Sequence, residues 1–178
     1  MPNKHASLDA LFADIADAIR EKTGDTGIIP AVEFPNLIRD RLEVAPIVVD
    51  VNITASNISE YFTVTNGSPY YFNGQGNVFT TNNAGVGGST ASTILTAKQD
   101  ISEISFVYSY SSEANYDKFT LKVAGTTVEN AVSGATTAKS YNGSLTSGQA
   151  IEFKYVKDSS VDGNDDKCTF YNMVIKLG

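Results

Sequence analysis

The stretch Ile104-Ser-Phe-Val-Tyr-Ser-Tyr110, the polar loop Ser111-Ser-Glu-Ala-Asn-Tyr-Asp117 and the run Lys118-Phe-Thr-Leu-Lys-Val123 decide the fold class. In an extended chain Ile104, Phe106, Tyr108 and Tyr110 fall on one side and Ser105, Val107 and Ser109 on the other, the two-residue period of a half-buried strand. Phe119, Leu121 and Val123 resume the period after the loop. A second unit of the same kind follows. Ile151-Glu-Phe-Lys-Tyr155 alternates, Lys157-Asp-Ser-Ser-Val-Asp-Gly-Asn-Asp-Asp-Lys167 is an acidic loop, and Cys168-Thr-Phe-Tyr-Asn-Met-Val-Ile175 is again strand-like. Two such units predict antiparallel sheets that carry polar loops at a common end.

Upstream and between these units the chain keeps the same habit. Strands are predicted at Ile47–Ile53, with Val49, Val51 and Ile53 on one face, and at Glu60–Thr65, Tyr70–Phe72, Val78–Thr81, Ser92–Ala97, Thr126–Val128 and Lys139–Leu145. Asn66-Gly67, Asn73-Gly-Gln-Gly-Asn77, Ala124-Gly125, Ser133-Gly134 and Ser147-Gly148 are the turn signals between them. Residues 82–92 are rich in Gly, Ser, Thr and Asn and read as a long loop. Roughly eight to ten short strands over about 130 residues predict a jelly-roll-like antiparallel β-sandwich, so the fold class is mainly β.

The first 45 residues follow another period. Leu8, Leu11, Phe12, Ile15 and Ile19 make one stripe of a helix over residues 7–23, with Ser7 as N-cap, Asp9 in the first turn and Gly24 to stop it. A second helix is expected from Phe34 to Leu42, with Pro35 in its first turn. Two short helices cannot bury two apolar stripes alone. The segment is therefore expected to dock on another body or to form a homo-oligomer. Pro46 marks the boundary, giving a helical hairpin over 1–45 and a sandwich over 46–178.

Composition excludes several classes. The chain has 178 residues, 42% of them hydrophobic, and a formal charge of −7. That charge disfavours a nucleic-acid partner and anionic lipid surfaces. No apolar run approaches the ~20 residues of a membrane span. With one cysteine there is no internal disulfide, and Cys168 reads as a small buried hydrophobe. The Gly-rich loop lacks the Gly-Lys-Ser/Thr ending of a phosphate loop. His5, the only histidine, lies near the N-terminus, which leaves no Ser-His or Cys-His pair for nucleophilic catalysis. A glycosidase needs two carboxylates across a sugar-sized cleft, and a chain of this size without tryptophan favours a non-catalytic role.

Two sets of residues remain as site candidates. Tyr70, Tyr71, Tyr110, Tyr116 and Tyr141 lie near turns or strand ends, with Asn73, Asn115 and Asn142 beside them. A tyrosine offers an apolar face and a hydroxyl, and amides supply hydrogen bonds, which suits stacking on a sugar. The alternative for each tyrosine is a core or strand-end position. The acidic loop supplies Asp158, Asp162, Asn164 and Asp166 as oxygen ligands for Ca2+. The spacing is not that of an EF-hand, and the alternative is a solvated loop held by Asx turns and lysines. Glu113 and Asp117 are expected to buttress this loop against Lys157 and Asp158.

Two resemblances frame these readings. Leu11-Phe-Ala-Asp-Ile-Ala-Asp-Ala-Ile-Arg-Glu-Lys-Thr-Gly24, with Ile29-Pro30 and Glu33-Phe-Pro-Asn-Leu-Ile38, resembles a short helical module of tail- and baseplate-associated proteins of bacteriophages and prophages. It covers about a fifth of the chain. Ser112, Glu113, Tyr116, Asp117, Phe119, Gly134, Gly148, Tyr155, Lys157, Asp158, Asp165 and Asp166 resemble the pattern of MAM-like or galactose-binding-like jelly rolls of bacterial surface proteins and phage fibres. At the usual aromatic after the final acidic pair this chain offers Cys168 or Phe170, so the register of the last strand is open. The resemblances imply a phage tail protein of the virion, made in the bacterial cytoplasm without a signal peptide. Its partner would be a host cell-surface polysaccharide or a neighbouring tail protein. The rival readings are a structural virion decoration and, behind it, a fragment of a polysaccharide-degrading enzyme.

Overall fold

The computed structural model describes residues 8–24, 26, 48–160 and 165–177. The chain divides into two compact units, residues 1–46 and 47–178. In the first, α1 (Leu8–Thr23) buries Ala16 and Ile19 with Ile15 packed against them. Gly24 ends it with a φ of 72° and an N–H bonded to the Arg20 carbonyl at 2.8 Å, the left-handed cap that glycine adopts without a Cβ penalty. The second helix expected at 34–42, together with Ser7 and His5, lies outside the described residues.

The second unit is a two-sheet antiparallel sandwich. Its elements are β1 (Val49–Asn52), α2 (Ile58–Tyr61), β2 (Phe62–Asn66), β3 (Phe72–Gln75), β4 (Val78–Thr81), β5 (Thr90–Ala97), β6 (Ile101–Ser111), β7 (Lys118–Val123), β8 (Thr126–Val132), β9 (Lys139–Leu145), β10 (Ala150–Val156) and β11 (Lys167–Leu177). One sheet runs β3-β4-β11-β6-β9 and the other β2-β5-β10-β7-β8. The long β11 pairs β4 along its first half and β1 along its second. Alternation decides which side chains go inward. Ile104, Phe106, Tyr108 and Tyr110 of β6 meet Phe119 and Leu121 of β7 and Phe153 and Tyr155 of β10 in one buried core. At its centre the Phe153 ring lies 4.1 Å from Phe170 and 5.6 Å from Phe72, so the two sheets are clasped by an aromatic stack.

Three local expectations change. Glu60 and Tyr61, expected in a strand, belong to the helical turn α2. The Asn57 side chain accepts from Thr54 N–H at 2.7 Å and donates to the Asn52 carbonyl at 3.0 Å, folding the chain back before β2 begins. Asn73 and Gly74, expected in a turn, are paired in β3, and the reversal falls at Gly76, with φ 59°. Val49 is exposed, because β1 is a short edge strand that meets only the end of β11.

Candidate functional site

The outer face of the six-stranded sheet is built by the side chains that the core rejects. The register places Gln75, Val78, Tyr171, Val107 and Ser140 in one row across β3, β4, β11, β6 and β9. The next row is Asn73, Thr80, Thr169 and Ser109. Thr80 and Thr169 share a hydrogen bond of 3.0 Å across the strands. Neither row holds a Lys, Arg, His, Asp or Glu, in a chain with 13 Lys and Arg and 20 Asp and Glu side chains. Charge returns only at the ends, at Lys167 opposite Ser111 and at the Lys176–Glu103 pair, 2.8 Å apart.

A cleft of about 410 Å³ opens on this face between Asn73, Gln75, Val78, Thr80, Thr81 and Asn82. A second, of about 230 Å³, enters between the sheets at the same edge and shares Asn73 with the first. Tyr71, Phe79 and Thr93 are among its walls. Gly74 keeps it open, since a Cβ there would stand 2.6 Å from the Phe79 ring. The Tyr71 N–H is fixed by Asn82 Oδ1 at 2.8 Å, and this bond sets the start of β3. The larger cleft, lined by amides, hydroxyls and Val78, falls in the size range of small-ligand sites, roughly 300–1,000 Å³.

The expected tyrosine set separates. Tyr71 and Asn73 meet at the cleft, and Tyr70 lies half-buried beside them with its backbone bridged to Ala91. Tyr110, expected on a binding face, is in the core, its ring 5.7 Å from Phe119, because it shares the inward phase of Phe106 and Tyr108. Tyr141 is half-buried and stacks on Phe106 at 5.1 Å, so its ring is committed to the edge of the core. Asn115 and Tyr116 sit on the β6–β7 loop. Asn115, with φ 76°, is held by Ser133 Oγ at 2.9 Å, and Tyr116 is 56% exposed. Asn142 is on the outer face of β9, across from Ser105. Tyr171, Thr80, Thr169 and Gln75 complete the face and were missed. For Gln75, Thr80 and Thr169 the outward phase of their strands was the available signal, whereas Tyr171 stands beside the register shift of β11.

The acidic loop is organised around a lysine. Asp158 folds on itself, accepting from Ser160 N–H at 2.8 Å and Ser160 Oγ at 2.7 Å, and these bonds hold its carboxyl below the usual range. Asp166 is buried. Its carboxylate meets the Lys157 ammonium, the Tyr155 hydroxyl at 2.8 Å and the Gly85 N–H at 3.3 Å. Asp117, also buried, accepts from Asp158 N–H at 3.0 Å and Tyr155 at 3.3 Å, the buttressing expected of it. Burial pushes the Tyr155 hydroxyl and the Cys168 thiol far up, so both stay protonated and Cys168 is inert. The expected Ca2+ set therefore loses Asp166 to Lys157, while Asp162 and Asn164 lie outside the described residues. Among the described residues no group of three or more His, Cys, Asp or Glu is placed to hold a metal ion.

Fold and face together define a jelly-roll-like β-sandwich with an open, uncharged sheet face. No family model matches the chain, and no curated protein matches it in sequence. Solved structures do. A secreted serine protease, VesC, from Vibrio cholerae is similar at a TM-score of 0.50 and 14% identity, over 70% of this chain and 28% of that one. A carbohydrate binding module of family 29 is similar at 0.40 and 14%, over 74% and 90%. The K3 adhesin domain of Lys-gingipain from Porphyromonas gingivalis is similar at 0.42 and 10%, over 74% and 99%. The likeness to VesC is one of backbone, and the chain spans 28% of that protein's length.

Proposed function

We propose that the sandwich is a non-catalytic glycan-binding module, and that its ligand is a neutral polysaccharide of a host cell surface laid across the outer face of the six-stranded sheet. The observation that carries this is the uncharged double row around Tyr171 with the cleft at Asn73 beside it. A sugar ring has an apolar CH face and a rim of hydroxyls. Tyr171 and Val78 offer the surface for the first, and Asn73, Gln75, Thr80 and Ser109 the partners for the second. A charged face would hold water and ions that a neutral polyol does not displace. The two central rows of the face carry no carboxylate, which suits binding without hydrolysis.

The setting rests on the N-terminal module, residues 11–24, and its resemblance to phage and prophage tail proteins. In that reading the helical unit attaches the sandwich to a tail, in several copies. Weak single-site binding is then raised by multivalency. The test is titration of the purified chain with envelope polysaccharides from candidate hosts, followed by calorimetry. Saturable binding that Tyr171→Ala weakens about tenfold or more is the expected result. If no neutral polysaccharide binds, the structural decoration role takes its place.

A further inference from the structure

The buried cluster at the loop end of the sandwich has a composition that an ion pair alone does not explain. Lys157 and Asp166 have side chains only 1% and 4% exposed, and Asp117 is 2% exposed. Asp166 pairs with the Lys157 ammonium, and Asp117 joins the cluster through the Tyr155 hydroxyl, which meets both carboxylates. Desolvating three charges is costly even when two of them pair. The Lys157 amine lies directly against Asp166 Oδ2, and both residues are held by the frame, one at the end of β10 and the other at the start of β11. Tyr155 holds Asp166 Oδ1 at 2.8 Å and touches the second carboxylate, Asp117, at 3.3 Å through the same hydroxyl. An amine and a carboxyl fixed in contact, away from water, gain the effective concentration that makes a slow condensation feasible.

We propose that Lys157 and Asp166 condense spontaneously into an intramolecular amide between Nζ and Cγ. The ammonium first passes a proton to Oδ2 across the pair, leaving an amine and a carboxylic acid. Nζ then bonds to Cγ, and negative charge gathers on Oδ1, where the Tyr155 hydroxyl meets it. Asp117 takes a proton from the nitrogen and returns it to Oδ2. The Cγ–Oδ2 bond breaks, one water leaves, and Asp117 is a carboxylate again. An ammonium and a carboxylate thus become an amide and water, with no change of oxidation state. Two buried charges disappear, and the five-stranded sheet is joined to the six-stranded sheet across the acidic loop. Tyr155 stays a donor throughout, because burial keeps its hydroxyl protonated.

The full chain is weighed by intact-protein mass spectrometry in denaturant, then digested and sequenced by fragmentation. The expected result is a mass lower than that of the sequence by one water, with a branched peptide joining Lys157 to Asp166. Lys157→Met and Asp166→Ala are expected to restore the full mass, and Asp117→Asn to leave an uncondensed fraction that declines with time. Asp162-Gly163 can also lose water, as a succinimide. That loss would survive Lys157→Met and give only linear peptides. Wild-type chain at its full sequence mass, or a water loss that persists in Lys157→Met, overturns the proposal, and neither reading depends on a variant folding.

Discussion

The Tyr155 hydroxyl donates to Asp166 Oδ1 at 2.8 Å from a ring with no solvent exposure. A single phenol on β10 thereby anchors the chain just before β11, and through Asp117 it also anchors the loop before β7. Tyr155→Phe keeps the ring and removes the donor. Leaving a buried acceptor oxygen short of a donor costs about 1–3 kcal/mol. The urea midpoint should fall accordingly, with an unchanged slope. A shift below about 0.5 kcal/mol, the scatter of neutral surface changes, would mean that the other partners of Asp166, Lys157 and Gly85, suffice without the phenol.

Glu129 joins Tyr108 and Lys139 in a second polar cluster, accepting from each at 2.7 Å. Burial first, and then Glu129, pushes the Tyr108 hydroxyl far up. The hydrogen bond to Glu129 raises the Lys139 ammonium above its ordinary value. Both folded values lie above the unfolded ones, so each contribution is complete below about pH 10, the ordinary range of these groups. Each is lost as pH rises through the folded value. Thermal melts between neutral pH and strong alkali should show stability declining above about pH 10. In Glu129→Gln the decline should be shallower, since the Lys139 share is gone. Parallel curves for the two proteins would count against this coupling.

Ala124 takes a left-handed conformation, φ 50°, next to Gly125 at φ 79° in the β7–β8 hairpin. Such a turn prefers Asn-Gly, because asparagine tolerates positive φ better than alanine. Ala124→Asn is therefore expected to raise stability by roughly 0.5–1 kcal/mol. Denaturant unfolding measures it directly, and a loss of stability would show that the exposed methyl has a packing role here.

The sandwich was legible because alternation is local: β6, β7 and β10 announce their inward residues in sequence. Tyr110 was legible for the same reason, as it shares a phase with Phe106 and Tyr108, and composition alone had placed it at a site. Tyr171 was not. The inward residues of β11 run Cys168, Phe170, then Met173, Ile175, because a bulge at Asn172, φ 51°, shifts the phase by one. A residue beside such a shift has no assignable face until its partners are known. The Lys157–Asp166 contact was hidden differently. In sequence Lys157 adjoins Asp158, and only closure of one sheet on the other brings Asp166 to it.

Tyr171 gives the sharpest test of the binding face. It is half-buried at the centre of the first row, between Val78 and Val107, and its removal leaves the inward side of β11 untouched. Tyr171→Ala should therefore change stability little while weakening polysaccharide binding by about tenfold or more, the effect of losing roughly 1.4 kcal/mol. Asn73→Ala, at the cleft, should weaken it less, by the ~0.5–1.5 kcal/mol of one hydrogen bond. Tyr116→Ala is the control. It removes the most exposed tyrosine, on the β6–β7 loop. If Tyr116→Ala abolishes binding and Tyr171→Ala does not, the ligand sits on the loops, as the tyrosine distribution along the sequence first suggested. If neither matters, the uncharged face serves contact with another protein, because a flat row of valine, tyrosine and threonine without charge also suits burial against a second protein surface.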